Sequence, residues 1–201
     1  MPYIHHYKSP LGGIILTSDG RALTGLYFEE SQSGKPRADS LNGVNRAVSH
    51  KGDRKMPEDV PIEKDLSVFD QTDRWLDIYF SGKEPDFTPP LSVHGTAFRE
   101  MVWEILLTIP YGQTMSYGEI ASIIAARRSQ TGTVSGSDRP PISAQAVKTR
   151  MSAQAVGGAV SHNPISLIIP CHRVIGTNGS LTGYAGGFER KQALLELEKI
   201  L

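Results

Sequence analysis

The 201-residue chain is predicted to have an α+β fold, with a small antiparallel β-sheet and one helix in its first half and a mainly helical second half. Three observations lead to this prediction. Short apolar segments separated by turn residues occupy the first 28 positions, helical periodicity begins near Ser67, and further helical segments follow residue 95. We place the domain boundary between residues 92 and 93, giving domains 1–92 and 93–201, because prolines and glycine punctuate this stretch.

The first half begins with three predicted strands that form an antiparallel meander. Strands are expected at residues 3–7, 13–17 and 23–28, with runs of glycine, proline, serine and aspartate between them. Residues 31–65 are polar, and we expect a long loop there with one added strand. No residue pattern in this half is typical of a catalytic site, so its expected role is to support the other half.

The predicted helix of the first half begins at Ser67 and ends at Gly82. Ser67 followed by Asp70 is a variant of the capping box, and glycine commonly ends a helix. Helical spacing assigns a core face to five residues: Phe69, Thr72, Leu76, Tyr79 and Phe80.

The second half is predicted to contain a helix-turn-helix. A first helix at 96–108 carries apolar residues at helical spacing, namely Phe98, Met101, Val102 and Ile105, with Ile109 beyond it. Ser116 and Glu119 form a capping box that opens the next helix, whose inward residues are Ile120, Ile123 and Ile124. A flexible stretch at 129–141 then leads to a second helix that ends with residues 155–160.

The second helix of this pair contains two adjacent glycines, Gly157 and Gly158. Each glycine costs about 1 kcal/mol in a helix relative to alanine, and the surface that the pair leaves is nearly bare backbone. Such a surface suits close approach to a narrow groove and suits base reading in the major groove poorly. Tight packing between helices is the alternative explanation.

A local repeat precedes the glycines. Residues 142–147 and 151–156 match at an offset of nine, which at about 100° per residue is half a turn out of phase. Only the second copy is therefore expected to face a ligand, and the first is expected to be an insertion that lengthens the helix or loop.

Composition excludes several classes of function. Basic and acidic residues balance at 21 each, yet residues 1–95 carry a net charge of −3 and residues 127–173 one of +5, so a polyanion could bind locally. One cysteine excludes an internal disulfide and a zinc or iron–sulfur cluster. No signal peptide and no run of about 18 apolar residues is present, so we expect a cytoplasmic protein. His5 and His6, adjacent on a strand, point to opposite faces, and no metal is predicted.

The single cysteine, Cys171, marks the candidate active site. The apolar run 167–169 is predicted to be a short buried strand that Pro170 interrupts, which places Cys171 at a rigid pocket wall. His172 and Arg173 follow it, and thiolate character requires such an electropositive neighbourhood. A small buried hydrophobe is the alternative role for a lone cysteine.

The residues around this cysteine carry a resemblance to a known family. Pro170-Cys171-His172-Arg173-Val174, with Asn163-Pro164 before it and Gly183-Tyr184-Ala185-Gly186-Gly187 after it, resembles the O6-alkylguanine-DNA alkyltransferase (methylated-DNA–protein-cysteine methyltransferase) family. The likeness covers roughly residues 95–201. It implies a ribonuclease H-like first domain and direct-reversal DNA repair. Cys171 would take the alkyl group of O6-alkylguanine, and of O4-alkylthymine, irreversibly and once, after the base is flipped by a helix-turn-helix in the minor groove.

The resemblance also implies roles for individual residues. The catalytic set is Cys171, His172 that activates it through a water, a glutamate that orients the histidine, and the hinge residue Asn163. We choose Glu198 as this glutamate because it falls on the predicted apolar stripe of Leu194, Leu195 and Leu201, whereas Glu196 points away; a carboxylate on the rim is the alternative. The predicted base pocket comprises Tyr184, Gly183, Ala185, Gly186 and Tyr117. The predicted DNA contacts are Gln154, Ala155, Gly157, Gly158, Arg173 and Arg150.

One position departs from the family pattern. Gln154 stands where the family usually has an arginine that enters the duplex at the place the flipped base leaves. We expect the glutamine to fill that space without charge.

Alkylated double-stranded DNA is the expected partner of a monomer, with no cofactor, membrane or protein partner predicted. Two alternatives remain. A lesion-sensing DNA-binding protein would lack the cysteine, and a cysteine hydrolase would need direct pairing of Cys171 and His172. The glycines at 183–187 lack the spacing of a phosphate-binding loop.

Overall fold

A computed structural model describes residues 3–29, 62–131 and 152–201 of the protein. The chain divides into two compact units, Met1–Val93 and His94–Leu201. No helix among the described residues is both long enough and apolar enough to cross a membrane. The strands are β1 (Tyr3–Ser9), β2 (Gly12–Ser18), β3 (Leu23–Phe28), β4 (Ile62–Glu63), β5 (Met115–Ser116) and β6 (Val174–Ile175). The α-helices are α1 (Ser67–Phe80), α2 (Ala97–Leu106), α3 (Tyr117–Thr131), α4 (Ala153–Ser161) and α5 (Phe188–Leu197).

The first unit is built on a four-stranded sheet in the order β3-β2-β1-β4. The predicted antiparallel meander is confirmed, since β1 pairs with β2 from Tyr3↔Ser18 to Ser9↔Gly12 and β2 pairs with β3. The added strand, β4, pairs with β1 in parallel. The rest of the predicted loop at 31–65 lies largely outside the described residues. Apolar side chains of β2 and β3 are fully buried: Ile14, Leu16, Leu23 and Leu26.

Helix α1 forms where predicted, but its N-terminus is different. Leu66 is the N-cap and no side chain caps the helix, so the predicted cap at Ser67 is wrong. Ser67 instead occupies the first helical position. Trp75 is buried and stacks on Tyr79 at 5.2 Å between ring centroids, a core contact that the predicted face omitted. Gly82 follows the end of the helix in a left-handed conformation, and its N–H donates a hydrogen bond to the carbonyl of Tyr79.

The second unit begins with α2 and the helix-turn-helix pair. The capping box of α3 is confirmed, because the Glu119 carboxylate accepts the Ser116 N–H at 2.7 Å and Ser116 Oγ accepts the Glu119 N–H at 3.2 Å. Ile120 and Ile124 are fully buried, whereas Ile123 is only partly so. The position at which α3 begins therefore follows from a local signal in the sequence.

Helix α4 is anchored on its inner face and open on its outer face. Ser152 caps it by accepting the Ala155 N–H, and Trp103 of α2 donates its indole N–H to the carbonyl of Ala159 at 3.0 Å. Val156 and Val160 are buried side chains on the inner face of α4. The first copy of the local repeat, at 142–147, lies outside the described residues.

A two-stranded parallel sheet ties the cysteine segment to the helix-turn-helix. Strand β5 directly precedes α3, and it pairs with β6 through Met115↔Val174 and Ser116↔Ile175. Because β6 begins immediately after Arg173, this pairing holds the cysteine segment at the N-terminus of α3.

Candidate active site

The segment that carries Cys171 is buried, but it is not a strand. The predicted strand at 167–169 is wrong, because these residues form turns, and Leu167 has a φ of 68°. The side chain of Asn163 takes the place of a strand partner. Its Oδ1 accepts the Ile165 N–H at 3.0 Å and its Nδ2 donates to the carbonyl of Ile169 at 2.8 Å. Asn163 therefore shapes the backbone that leads into the cysteine.

Cys171 begins a short 3₁₀ turn, Cys171–Arg173, and is only 4% exposed. Burial raises the pKa of the Cys171 thiol above its ordinary value, while a hydrogen bond from Asn163 and the nearby charge of Lys191 act in the opposite direction. The net direction is upward, so the resting thiol holds its proton at neutral pH. Nucleophilic attack then requires a group that accepts this proton.

His172 is fully buried and is bonded to Glu198. The distance from His172 Nε2 to Glu198 Oε1 is 2.8 Å. An ionised carboxylate only accepts hydrogen bonds, so Nε2 carries the proton of this bond. Burial lowers the pKa of His172 despite the opposing effect of Glu198, so the ring is neutral at pH 7 and Nδ1 is its basic nitrogen.

Glu198 lies one residue beyond α5, where it is the C-cap. Leu194 and Leu195 are buried on the same side, but Leu201 is 62% exposed, so the predicted stripe is wrong at its end. Glu196 is exposed, as expected. Although burial alone would raise the pKa of Glu198, hydrogen bonds from His172 and Arg173 lower it to about 2. The carboxylate is therefore an anion throughout the physiological range.

Arg173, a predicted DNA contact, is turned into the protein. It is 8% exposed, and its guanidinium binds Glu198 through Nε at 2.8 Å and Nη2 at 3.0 Å. Its Nη1 donates to the carbonyl of Ile109 at 2.7 Å. The partners of Arg173 lie 25 and 64 residues away along the chain, so no local pattern in the sequence reveals them.

Tyr184 closes the other side of the site. It is 9% exposed, its ring lies edge-on to that of His172 at 6.4 Å, and its hydroxyl has no hydrogen-bond partner among the described residues. Burial raises the pKa of Tyr184 well above its ordinary value, so the hydroxyl keeps its proton and can act as a donor. Gly186 lies against the ring, since a Cβ there would come within 2.5 Å of it. Ala185 is exposed.

Tyr117, the first residue of α3, reaches the same loop. Its hydroxyl donates to the carbonyl of Thr182 at 3.2 Å, and a Cβ on Gly183 would lie 2.7 Å from that hydroxyl. Gly183 also has a φ of 89°, a conformation that favours glycine. Tyr117 therefore links the start of the helix-turn-helix to the glycine-containing loop beside the cysteine.

The outer face of α4 is open backbone. Gln154 and Ala155 are exposed on its first turn. A Cβ on Gly158 would meet no atom within 4 Å, and one on Gly157 would make an ordinary contact with Tyr117 at 3.8 Å. Tight helix packing therefore does not explain Gly158. The sixth predicted DNA contact, Arg150, lies outside the described residues.

Lys191 is a feature of the site that the sequence analysis missed. This lysine of α5 is fully buried, and its ammonium group donates to the carbonyl of Val174. Burial lowers its pKa to about 8. The sequence contains a signal for the burial of Lys191, because this residue precedes Leu194 and Leu195 by three and four positions and so lies on the same face of the helix.

The two histidines of β1 bind separate carboxylates. His5 Nε2 lies 2.8 Å from Asp73, and His6 Nδ1 lies 2.8 Å from Glu29. In the described parts of the chain, no three His, Cys, Asp or Glu side chains come together where they could hold a metal ion.

Family models match both units of the chain. Residues 3–93 match the ribonuclease-like domain of 6-O-methylguanine DNA methyltransferase, and residues 97–138 and 142–200 match the DNA-binding domain of the same family. The resemblance noted in the second half therefore extends to the first half.

Curated relatives and solved structures agree with these matches. The methylated-DNA–protein-cysteine methyltransferase of Mycobacterium tuberculosis is 39% identical over 96% of this chain and 92% of its own length. That of Methanosarcina mazei is 36% identical over 98% of this chain and 97% of its own length. A crystal structure of the Mycobacterium tuberculosis OGT in complex with DNA has a TM-score of 0.66 at 38% identity and covers 98% of this chain and 92% of its own.

Proposed function

Because the chain belongs to the family of methylated-DNA–protein-cysteine methyltransferases, we propose that Cys171 is its acceptor and that each molecule reacts once. Membership makes it an enzyme of DNA repair that transfers the methyl group of 6-O-methylguanine in DNA to a protein cysteine. The observation that carries the proposal is the position of this cysteine. It is buried between the turns shaped by Asn163 and the His172–Glu198 pair.

The proposed reaction is a displacement at the alkyl carbon. The Nδ1 atom of neutral His172 accepts the Cys171 proton through a water, and the thiolate then attacks the carbon attached to guanine O6. A sulfur–carbon bond forms as the oxygen–carbon bond breaks. The leaving guanine receives a hydrogen bond from the Tyr184 hydroxyl and takes a proton from solvent, while His172 returns the proton of Cys171 to solvent. The thioether product is not reversed by thiol exchange, so the protein is consumed.

The proposed DNA interface is the open face of α4. Its bare backbone at Gly158 allows close approach of the minor groove, and Gln154 at the first turn would occupy the space left by the flipped base. Extruding a base requires a few kcal/mol, and glutamine contributes packing and hydrogen bonds without charge. O4-alkylthymine offers the same exocyclic oxygen chemistry and is included in the proposed substrate range.

The proposed working form is a monomer with no cofactor, in a reducing compartment such as the cytoplasm. Cys171 is the only cysteine of the chain, so no second thiol within the protein can protect it by disulfide exchange.

Intact mass spectrometry tests the acceptor and the stoichiometry together. The protein is incubated with duplexes that carry one O6-methylguanine or one O4-methylthymine, with Cys171→Ala as the control. We expect one added methyl group, localised to Cys171 and saturating at one per protein. Tight binding of the lesion without a mass change would support a sensor instead, and repeated turnover without a modified cysteine would support a hydrolase.

A further inference from the structure

Arg173, which was predicted to contact DNA, lies in the site beside Glu198. We propose that Arg173 is a positioning residue, which keeps Glu198 anionic and His172 neutral so that His172 can accept the proton of Cys171. The proposal rests on the proposed function for the identity of the nucleophile, but its geometry and its principal test do not depend on DNA.

Four donors converge on the Glu198 carboxylate. Oε1 accepts from His172 Nε2 at 2.8 Å and from Arg173 Nη2 at 3.0 Å. Oε2 accepts from Arg173 Nε at 2.8 Å and from the Gly112 N–H at 3.1 Å. The guanidinium thus binds both oxygens as a fork, which is the geometry that arginine provides and lysine does not.

Arg173 is itself held in place at a third point. Its Nη1 donates to the carbonyl of Ile109, and its guanidinium lies 5.6 Å from the centroid of the Tyr111 ring. The loop after α2 therefore fixes the guanidinium against Glu198. A guanidinium fixed in this way remains beside the carboxylate and does not swing out to a phosphate.

The consequence for His172 follows from electrostatics. A buried carboxylate beside an imidazole favours the imidazolium form, because the opposite charges stabilise each other. Arg173 supplies that opposite charge instead, and its proximity disfavours a second cation on His172. Burial has the largest effect in lowering the pKa of His172, and the charges of Arg173 and then of Lys191 in α5 act in the same direction. A neutral imidazole retains a lone pair on Nδ1, whereas an imidazolium has none and cannot accept a proton.

The alternative role for Arg173 is purely structural, as an ion pair that joins the loop at 109–112 to the end of α5. Loss of such a pair would lower the stability of the fold. It would not change the protonation state of the histidine at neutral pH. The two roles are therefore separated by the titration of His172 and by the pH profile of methyl transfer.

The experiment compares the full-length wild type with Arg173→Met, which removes the charge, and Arg173→Lys, which keeps it. Arg74→Met, on the exposed side of α1 in the other unit, is the control for loss of one arginine. Ring nitrogen and carbon shifts of His172 are followed by NMR from about pH 6 to about pH 8, the range in which histidine ordinarily titrates. Single-turnover methyl transfer is measured at saturating duplex over the same range.

We expect His172 of the wild type, of Arg74→Met and of Arg173→Lys to stay neutral, with the proton on Nε2. In Arg173→Met, His172 should titrate within the range, and the transfer rate should fall about tenfold per pH unit below the new pKa. A wild-type His172 that titrates near its ordinary pKa would overturn the proposal even if Arg173→Met does not fold. An Arg173→Met protein with a neutral His172 and an unchanged pH profile would also overturn it.

Failure of the proposed function gives a different result. If the wild type transferred no methyl group to Cys171, the proposed acceptor would be wrong, while the titration of His172 would still decide the role of Arg173.

Discussion

The buried Glu198 carboxylate determines how the active site responds to acid. Its pKa is about 2 in the folded protein against an ordinary 4.5, so its ionised form stabilises the fold. This contribution is fully present above about pH 4.5 and is lost as the pH falls toward 2. The difference in pKa corresponds to about 3 kcal/mol.

We therefore predict a pH-dependent stability difference between the wild type and Glu198→Gln. Urea unfolding should show the wild type more stable near neutral pH, and the difference should shrink by up to about 3 kcal/mol between pH 6 and pH 2. Since other carboxylates titrate equally in both proteins, the subtraction isolates Glu198. A difference that stays constant with pH would show that the charge of Glu198 does not stabilise the fold.

Removal of the Tyr184 hydroxyl should change the rate of methyl transfer without lowering the stability of the fold. Its buried hydroxyl lacks a partner among the described residues, so removing the oxygen leaves no protein group unsatisfied. We predict that Tyr184→Phe unfolds at the same free energy as the wild type or up to about 1 kcal/mol higher. If the hydroxyl donates to the leaving guanine, the single-turnover rate should fall by roughly tenfold to a hundredfold. An unchanged rate would remove Tyr184 from the mechanism and leave it as part of the wall.

At the scale of elements, α4 is a helix whose glycines are not required by the protein's own packing. A Cβ on Gly158 would meet open space. We predict that Gly158→Ala raises the free energy of unfolding by up to about 1 kcal/mol, the usual helical gain. Gly158→Leu should fold as well but bind duplex DNA at least about tenfold more weakly, about 1.4 kcal/mol, because its side chain would hold the groove away. Gln71→Leu on the exposed face of α1 is the matched control, and equal affinity for all variants would place the DNA elsewhere.

The first turn of α4 carries Gln154 at the position where the family usually has an arginine. We predict that Gln154→Ala lowers the single-turnover rate on duplex DNA more than on single-stranded DNA, because only the duplex has a gap to fill. Gln154→Arg should tighten duplex binding and steepen its salt dependence by about one counterion. Both are measured by fluorescence anisotropy and quenched-flow transfer at several salt concentrations. A wild-type duplex rate for Gln154→Ala would show that Gln154 does not take the place of the base.

The whole molecule combines a neutral net charge with a basic second half. Of the six basic residues between 127 and 173, Arg173 is buried against Glu198 and so does not add to the basic surface. Arg127, Arg128 and the open face of α4 lie in the second unit, whereas the first unit carries net negative charge. Affinity for DNA is therefore expected to be a property of one unit.

Alkylation of a buried cysteine should affect the stability of the whole fold. Cys171 is 4% exposed, and an added methyl group enters a packed site. We predict that the stoichiometrically methylated protein unfolds at a free energy lower by about 1–3 kcal/mol, the usual effect of overpacking. Thermal unfolding of the methylated and unmethylated protein, with Cys171→Ala as an unreactive control, measures this. Identical transitions would show that the site has room for the product.

Local signals in the sequence were sufficient for much of the fold, and the family resemblance around Cys171 supplied most of the candidate site. Short apolar segments and turn residues predicted the meander, the Ser116–Glu119 box predicted the start of α3, and helical spacing placed Glu198 on the buried side of Leu194 and Leu195. These predictions succeeded because each depends on residues within one or two turns of each other, where backbone geometry alone sets the neighbours.

Only the tertiary structure decided where the long and ambiguous side chains point. The run at 167–169 forms turns in which the side chain of Asn163 bonds the N–H of Ile165 and the carbonyl of Ile169, and hydrophobic periodicity does not detect such side-chain bonds. Arg173 turned inward because Glu198, 25 residues away, and the carbonyl of Ile109, 64 residues away, meet it there. Lys191 was buried by the same convergence of distant segments on the cysteine. The sequence by itself thus determined the cysteine, histidine and glutamate of the candidate site, whereas packing over long sequence separations decided that Arg173 and Lys191 join them.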